Sequence, residues 1–317
     1  MNLERPQKSR LVQVLMRWID TGASGDPADD PSADRIDWTQ MVPFLAIHLL
    51  CLGALLVGVS AIALIVALAL YLLRMFVITG FYHRYFSHRT FKTSRPFQFL
   101  MAVAGCSAGQ RGPMWWAAHH RHHHKHSDED DDLHSPRHHG FWFSHSGWFM
   151  TRKNFFTRCH LVRDWQQYPE LRWLDRFDWI PMAALAAGTF LLGHGLSRWA
   201  PQLGTSGLQM LIWGFFISTV VLYHATYTIN SLAHRWGHRR FETNDDSRNN
   251  FFLAALTLGE GWHNNHHHYP AAVRQGFYWW EIDPTYYGLL LLKWTGLIWD
   301  LRSVPPHALQ RNLLSAN

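Results

Sequence analysis

The chain has 317 residues, of which 48% are apolar, with 29 lysines and arginines against 23 aspartates and glutamates. Its formal charge of +6 lies on no recognisable nucleic-acid-binding motif, which excludes nucleic acid as a partner. Three cysteines, Cys51, Cys106 and Cys159, follow no C-x-x-C spacing, so neither disulfides nor a zinc knuckle are expected.

Residues 1–40 form an N-terminal segment. Arg10 to Ile19 reads as a short amphipathic helix lying on a membrane surface, and Gly22 to Ala33 as a Pro/Asp/Ser linker. Met41 to Gly80 then runs with only His48 and Arg74 as strongly polar interruptions. A bilayer crossing needs about 20 apolar residues, so residues 41–81 are read as a two-span hairpin turning at Gly58 and Ser60. About forty polar residues precede it, which argues against a cleaved signal peptide. Two further spans are expected at Asp178 to Leu196 and Leu208 to Asn230, a second hairpin within 178–230. The segments 82–177 and 231–317 lie outside the spans. Tyr286 to Leu301 is apolar but short, and is expected to be a helix packed on the soluble part or on the bilayer surface.

Four spans return both termini to one side. Of the 29 basic residues, only Arg74 and Arg198 fall elsewhere, so the positive-inside rule makes the terminal face cytoplasmic. Basic residues there face anionic headgroups, which accounts for the net charge. The expected fold class is an all-α membrane protein, four transmembrane helices with a cytoplasmic helical cap. If the source is bacterial, the membrane is the inner or plasma membrane.

The histidines carry the chemistry. His83-x4-His88, His120-x2-His123-His124 and His263-x2-His266-His267 follow the spans, with His234 just past the last one. Neutral imidazole is the commonest protein metal ligand, and a histidine-rich set suits iron, zinc or copper better than magnesium or calcium. On a helix, positions i, i+3 and i+4 share a face, with i+3 and i+4 splayed to either side. Each triplet can therefore address two metals, and two triplets clamp a dinuclear site. The register of the middle cluster stays open here, because His119-x2-His122-His123 fits the same pattern. His83 and His88, five apart, suit a helix end or distorted turn. His48, His194 and His224 are expected to line the bundle or bond a neighbouring helix. His134, His138, His139, His145, His160, His238, His268 and His307 read as structural or exposed, and Ser127 to Asp132 as a solvated acidic loop.

The chain resembles the membrane-bound fatty acid desaturases, in particular the acyl-CoA Δ9 (stearoyl-CoA type) branch and its bacterial relatives. The resemblance runs from about Leu72 to Arg302. It is carried by His83-Arg-Tyr-Phe-Ser-His88, His120-Arg-His-His-His124-Lys125, Gly140-Phe-Trp-Phe-Ser-His-Ser-Gly-Trp148, Asn230-Ser-Leu-Ala-His234 and Gly259-Glu-Gly-Trp-His-Asn-Asn-His-His267. Arg121 after the first histidine selects the register His120, His123, His124.

The resemblance implies two irons held by nine histidines. One would take His83, His88, His120, His124 and His266; the other His123, His234, His263 and His267, with Asn230 through water. It also places Arg152 and Lys153 at the coenzyme A head and Trp116 beside the acyl tunnel. The family's Arg-Asp before the second box is here Ala118-His119, and an Arg111-Gly-Pro segment replaces its upstream asparagine. Both departures bear on the carrier, leaving coenzyme A, acyl carrier protein and intact lipid open.

The implied activity is O2-dependent insertion of a cis double bond, at Δ9, into a long-chain acyl thioester. No haem or iron–sulfur module is present in the sequence, so electrons must come from a separate protein of ferredoxin, rubredoxin or cytochrome b5 type. Membrane lipid is the other expected partner. A hydroxylase or acetylenase would share every ligand. A metal transporter or buffering protein would instead put histidines inside its spans.

Overall fold

The computed structural model describes residues 10–23 and 32–314; most of the expected linker, residues 24–31, lies outside the described residues. The fold is almost wholly helical. We number the helices used below α1 (Arg10–Ile19), α2 (Trp38–Val57), α3 (Ala61–Ser87), α4 (Arg95–Cys106), α5 (Pro113–His126), α6 (Pro169–Arg176), α7 (Trp179–Trp199), α8 (Gly207–Ser231), α9 (His263–His268) and α10 (Pro284–Trp294). Helices α2, α3, α7 and α8 are long and apolar enough to cross a membrane, as the hydropathy pattern requires. Helix α3 runs seven residues past the expected end at Gly80, so His83 lies within it rather than beyond it.

The turn between α2 and α3 is closed by hydrogen bonds within the protein. Gly58 adopts a left-handed φ of 64°, and the Ser60 hydroxyl caps α3 by accepting from the Ala63 N–H. Helix α8 pins the turn: Gln209 Nε2 donates to the Val57 carbonyl at 2.9 Å, and Trp213 Nε1 to that of Gly58 at 2.8 Å. Deeper in α3, buried Arg74 donates to Leu70 O, Thr219 Oγ1 and Ser218 Oγ. Those acceptors satisfy the one cation inside the apolar run. His48 and His224 meet between α2 and α8, Nε2 to Nε2 at 3.3 Å, the helix-to-helix bond expected of them.

The last ten residues of α3, Ile78–Ser87, form a π-helix. Their final carbonyls would be orphaned at the helix end, and Arg121 of α5 takes them, donating to Phe86 O and Ser87 O at 2.9 Å while pairing with Asp164. This clamp joins α3 to α5. Tyr82, Phe86 and Trp165 are buried with Leu171 and Leu174 of α6, forming the core beneath the histidines. Helix α4 approaches this layer through Gly105, where a Cβ would lie 1.9 Å from the Tyr82 ring. The segment expected to be helical after Tyr286 begins as α10 and ends in a short strand, β2 (Ile298–Trp299), antiparallel to β1 (Lys92–Thr93).

Candidate metal centre

Three local geometries aim the histidines. In a π-helix the backbone closes from residue i to i+5, and the His88 N–H accordingly bonds the His83 carbonyl at 3.2 Å. That closure sets the two side chains of the first cluster on one side, their ring centroids 5.0 Å apart. Helices α5 and α9 supply the triplets. His83, His88, His120, His124 and His266 form one group, and His123, His234, His263 and His267 another, with ligand atoms in each within 4.8 Å of one another. His123 and His124 fall into different groups, as do His266 and His267, so the i+3/i+4 splay is realised in both triplets. His119 and His122 belong to neither group. His119 Nδ1 donates to the Trp115 carbonyl at 2.9 Å, and His122 packs on His126.

In the first group all five rings face inward through Nε2. His83 meets His266 at 3.0 Å, His266 meets His124 at 2.9 Å and His88 meets His120 at 2.7 Å. Facing imidazole nitrogens can share a proton in pairs but cannot all be satisfied that way, and such a donor set fits a cation. In the second group His234 and His263 meet at 3.1 Å, while His267 Nε2 is buried without a partner. Burial, followed by the neighbouring imidazoles, holds His88, His120, His124, His263 and His266 well below the usual histidine value. They are neutral, the form that binds metal.

Carboxylates stand behind the rings. Asp128 Oδ2 lies 2.7 Å from His234 Nδ1, Asp245 Oδ2 lies 2.7 Å from His267 Nδ1, and both oxygens of Asp132 lie 3.1 Å from His123 Nδ1. Glu260 contacts His83 Nδ1. Each fixes the Nδ1–H tautomer and turns the Nε2 lone pair inward, the usual support of a metal-binding histidine. Burial pushes the Asp128, Asp132 and Asp245 carboxyls upward, but the histidines outweigh it and hold them below the ordinary carboxylate range. The three lie on the second group and one on the first, so the second is the more strongly anionic.

The expectation of a solvated Ser127–Asp132 loop is therefore wrong for two of its residues. Asp128 and Asp132 are 4% and 1% exposed, folded back under α5, whereas Asp130 is open to solvent. Asp245 and Glu260 were also missed; for Glu260 the signal was its place three residues before His263.

An apolar cavity of about 230 Å3 reaches the first group at His120, and its lining includes Trp116, Asn230, Phe44, Tyr223 and Tyr227. Trp116 stacks on His120 with centroids 5.1 Å apart. Helix α1 contributes Arg17 and Trp18 to the lining. Arg152 and Lys153 do not line it. Arg152 lies 3.5 Å from Asp37 and donates to Ser32, and Lys153 lies 2.6 Å from Asp34. Asp37 also faces Arg17 at 3.3 Å, which ties the basic pair to the cavity lining.

A family model described as "Fatty acid desaturase" matches residues 58–290. The chain is 36% identical over 275 residues to "Acyl-CoA 5-desaturase AL21" of Anemone leveillei, covering 86% of this chain and 81% of that protein. It is 34% identical to the "sn-2 palmitoyl-lipid 9-desaturase" of Nostoc sp. (strain 36), covering 87% and 93%, and 36% identical to "Delta-9 acyl-lipid desaturase 1" of Arabidopsis thaliana, covering 88% and 87%.

Proposed function

The chain belongs to the fatty acid desaturase family, membrane oxidoreductases of lipid metabolism, and from that premise we propose that it inserts a cis double bond, at Δ9, into a long-chain acyl thioester. The observation that carries this reading is the apolar cavity that has Trp116 and His120, a member of the first histidine group, in its wall. Two irons would be held there, one by His83, His88, His120, His124 and His266, the other by His123, His234, His263 and His267 with Asn230 through water. Iron supplies the O2 chemistry that an unactivated C–H bond requires, since no side chain can.

The remaining work is the protein's own. The acyl chain loses two hydrogens, and O2 with two external electrons and two protons leaves as two waters. Phe44, Tyr223, Tyr227 and Trp116 hold the chain extended and exclude bulk water. The aspartates behind His123, His234 and His267 hold those imidazoles by Nδ1, which fixes their angle and leaves Nε2 facing inward. With three carboxylates behind it, the second group would favour the higher charge state of a metal held there. Electrons arrive from a separate ferredoxin, rubredoxin or cytochrome b5 type protein on the cytoplasmic face, where both termini and the centre lie.

For the carrier, Arg152 and Lys153 grip the coenzyme A head beside Arg17. A second reading, an acyl chain esterified in membrane lipid, is favoured by the ion pairs that match this basic pair to Asp37 and Asp34. The test is expression in a desaturase-deficient host, with double bonds located by mass spectrometry. A new cis double bond at Δ9 supports the reading, a hydroxylated or acetylenic product moves it to another reaction on the same centre, and unchanged lipids with iron-loaded protein overturn it.

A further inference from the structure

A second groove, distinct from the acyl cavity, opens beside the end of α8. Its volume is about 390 Å3, and Trp236, Phe251, Phe252, Trp262 and Trp280 give it aromatic walls. Trp236, Phe252 and Trp280 are 49%, 69% and 51% exposed, and Trp236 stacks on Phe252 at 9°. Uncovered aromatic area on this scale marks an interaction surface rather than a solvated one.

Its depth identifies what covers it. The short helix Phe251–Leu256 descends alongside the spans, and the Leu256 carbonyl accepts from the Tyr71 hydroxyl at 2.6 Å. Tyr71 sits inside α3, twelve residues before His83, and the α-helical steps from Tyr71 to Ile78 alone rise roughly 10 Å at about 1.5 Å per residue. Gly80 of α3 packs on Thr285 and Leu289 of α10, so α10 lies against the same span. The hairpin Asn250–Gly261 therefore re-enters the apolar layer, and the groove above it straddles the membrane boundary.

Charge sets the chemistry at the upper rim. The run Arg235-Trp-Gly-His-Arg-Arg240 crosses the groove's polar end, where His238 and Arg240 line it. Arg240 pairs with Glu281. Arg235, Arg239 and Arg248 donate only to the carbonyls of Pro136, Thr243 and Gly237 and to the Thr243 hydroxyl, and among the described residues no carboxylate faces them. Aromatic walls, with Arg248 held at the rim by its bond to the Gly237 carbonyl and facing no carboxylate, match one occupant.

We propose that this groove binds an anionic glycerophospholipid, its acyl chains against Trp236, Phe252 and Trp280 and its phosphate at Arg248 and His238. The site is separate from the acyl cavity, so its lipid is a bound partner and not the substrate. Basic pockets beside membrane helices bind acidic headgroups by the same attraction.

Native mass spectrometry of the detergent-solubilised full chain, titrated with phosphatidylglycerol or phosphatidylcholine, tests this. The wild type should retain one phosphatidylglycerol against excess phosphatidylcholine. Arg248→Gln should weaken phosphatidylglycerol binding about fivefold, and Phe252→Ala should weaken both lipids alike. Both side chains are at the surface or partly so, and metal content and circular dichroism should match wild type. Equal retention of the two lipids by the wild type would overturn the proposal, as would unchanged binding in both variants. A rise in KM for the acyl substrate in Arg248→Gln would show instead that the groove holds the substrate head.

Discussion

Asp128 and His234 are 106 residues apart, and their side chains meet at 2.7 Å with neither more than 4% exposed. The same Asp128 oxygen accepts the Asp246 backbone N–H at 2.8 Å, and the other accepts from the Ser135 hydroxyl. One carboxylate thus joins the loop after α5, the end of α8 and the loop bearing Asp245, all behind the second histidine group.

Asp128→Asn should therefore act on metal rather than on folding. Asp128 has a φ of 58°, which asparagine tolerates, but the amide cannot hold His234 Nδ1–H as a carboxylate does. Iron retained after dialysis against a chelator, and turnover, should both fall by about 10–100-fold, with helicity by circular dichroism unchanged. Full iron retention would remove the role given to this aspartate.

The register of the middle cluster can be read by substitution. His120→Ala, His123→Ala and His124→Ala should each abolish turnover and lower iron below two per chain by elemental analysis. His122→Ala, whose ring packs outward on His126, should keep a substantial fraction of activity and both irons. His119→Ala should keep its irons too, with any loss coming from the cavity wall it helps form.

Replacing both Arg152 and Lys153 by alanine addresses the carrier. A coenzyme A head held equally in ground and transition states predicts a raised KM for acyl-CoA with a smaller change in kcat. Salt sensitivity should drop with it, exposed pairs being screened within about 10 Å at 0.1 M. An unchanged KM with acyl-CoA, together with turnover of lipid-bound chains, would select the lipid ester.

Asp178, just before α7, supplies a pH test away from the histidines. Burial pushes its carboxyl up to about 6, against the pull of Arg111 at 3.6 Å. Between its folded value and the ordinary value near 3.8, the folded state binds the proton and the unfolded state does not. Stability from this group therefore rises as pH falls from 6 toward 4, by at most about 3 kcal/mol. Asp178→Asn should raise the unfolding temperature in detergent at pH 7 and flatten its slope between pH 4 and 6. A slope equal to that of the wild type would mean that Asp178 ionises normally.

The sequence by itself determined the four spans, because apolar length is a local property and a bilayer has a fixed thickness. It determined the splay of both triplets, since the turn per residue in a helix does not depend on what packs around it. Even the five-residue spacing of His83 and His88 announced a departure from α geometry, which the π-helical end of α3 supplies. Only the tertiary structure decided which carboxylates serve the centre. Asp128, Asp130 and Asp132 stand in one acidic run, and whether each is covered depends on chain that arrives from far away. Arg152 and Lys153 are the same case: two cations are legible in sequence, but their ion pairs with Asp37 and Asp34 come from a segment more than a hundred residues earlier. Burial and pairing of charge are set by non-local contacts, and a charged residue's own neighbours in sequence carry no record of them.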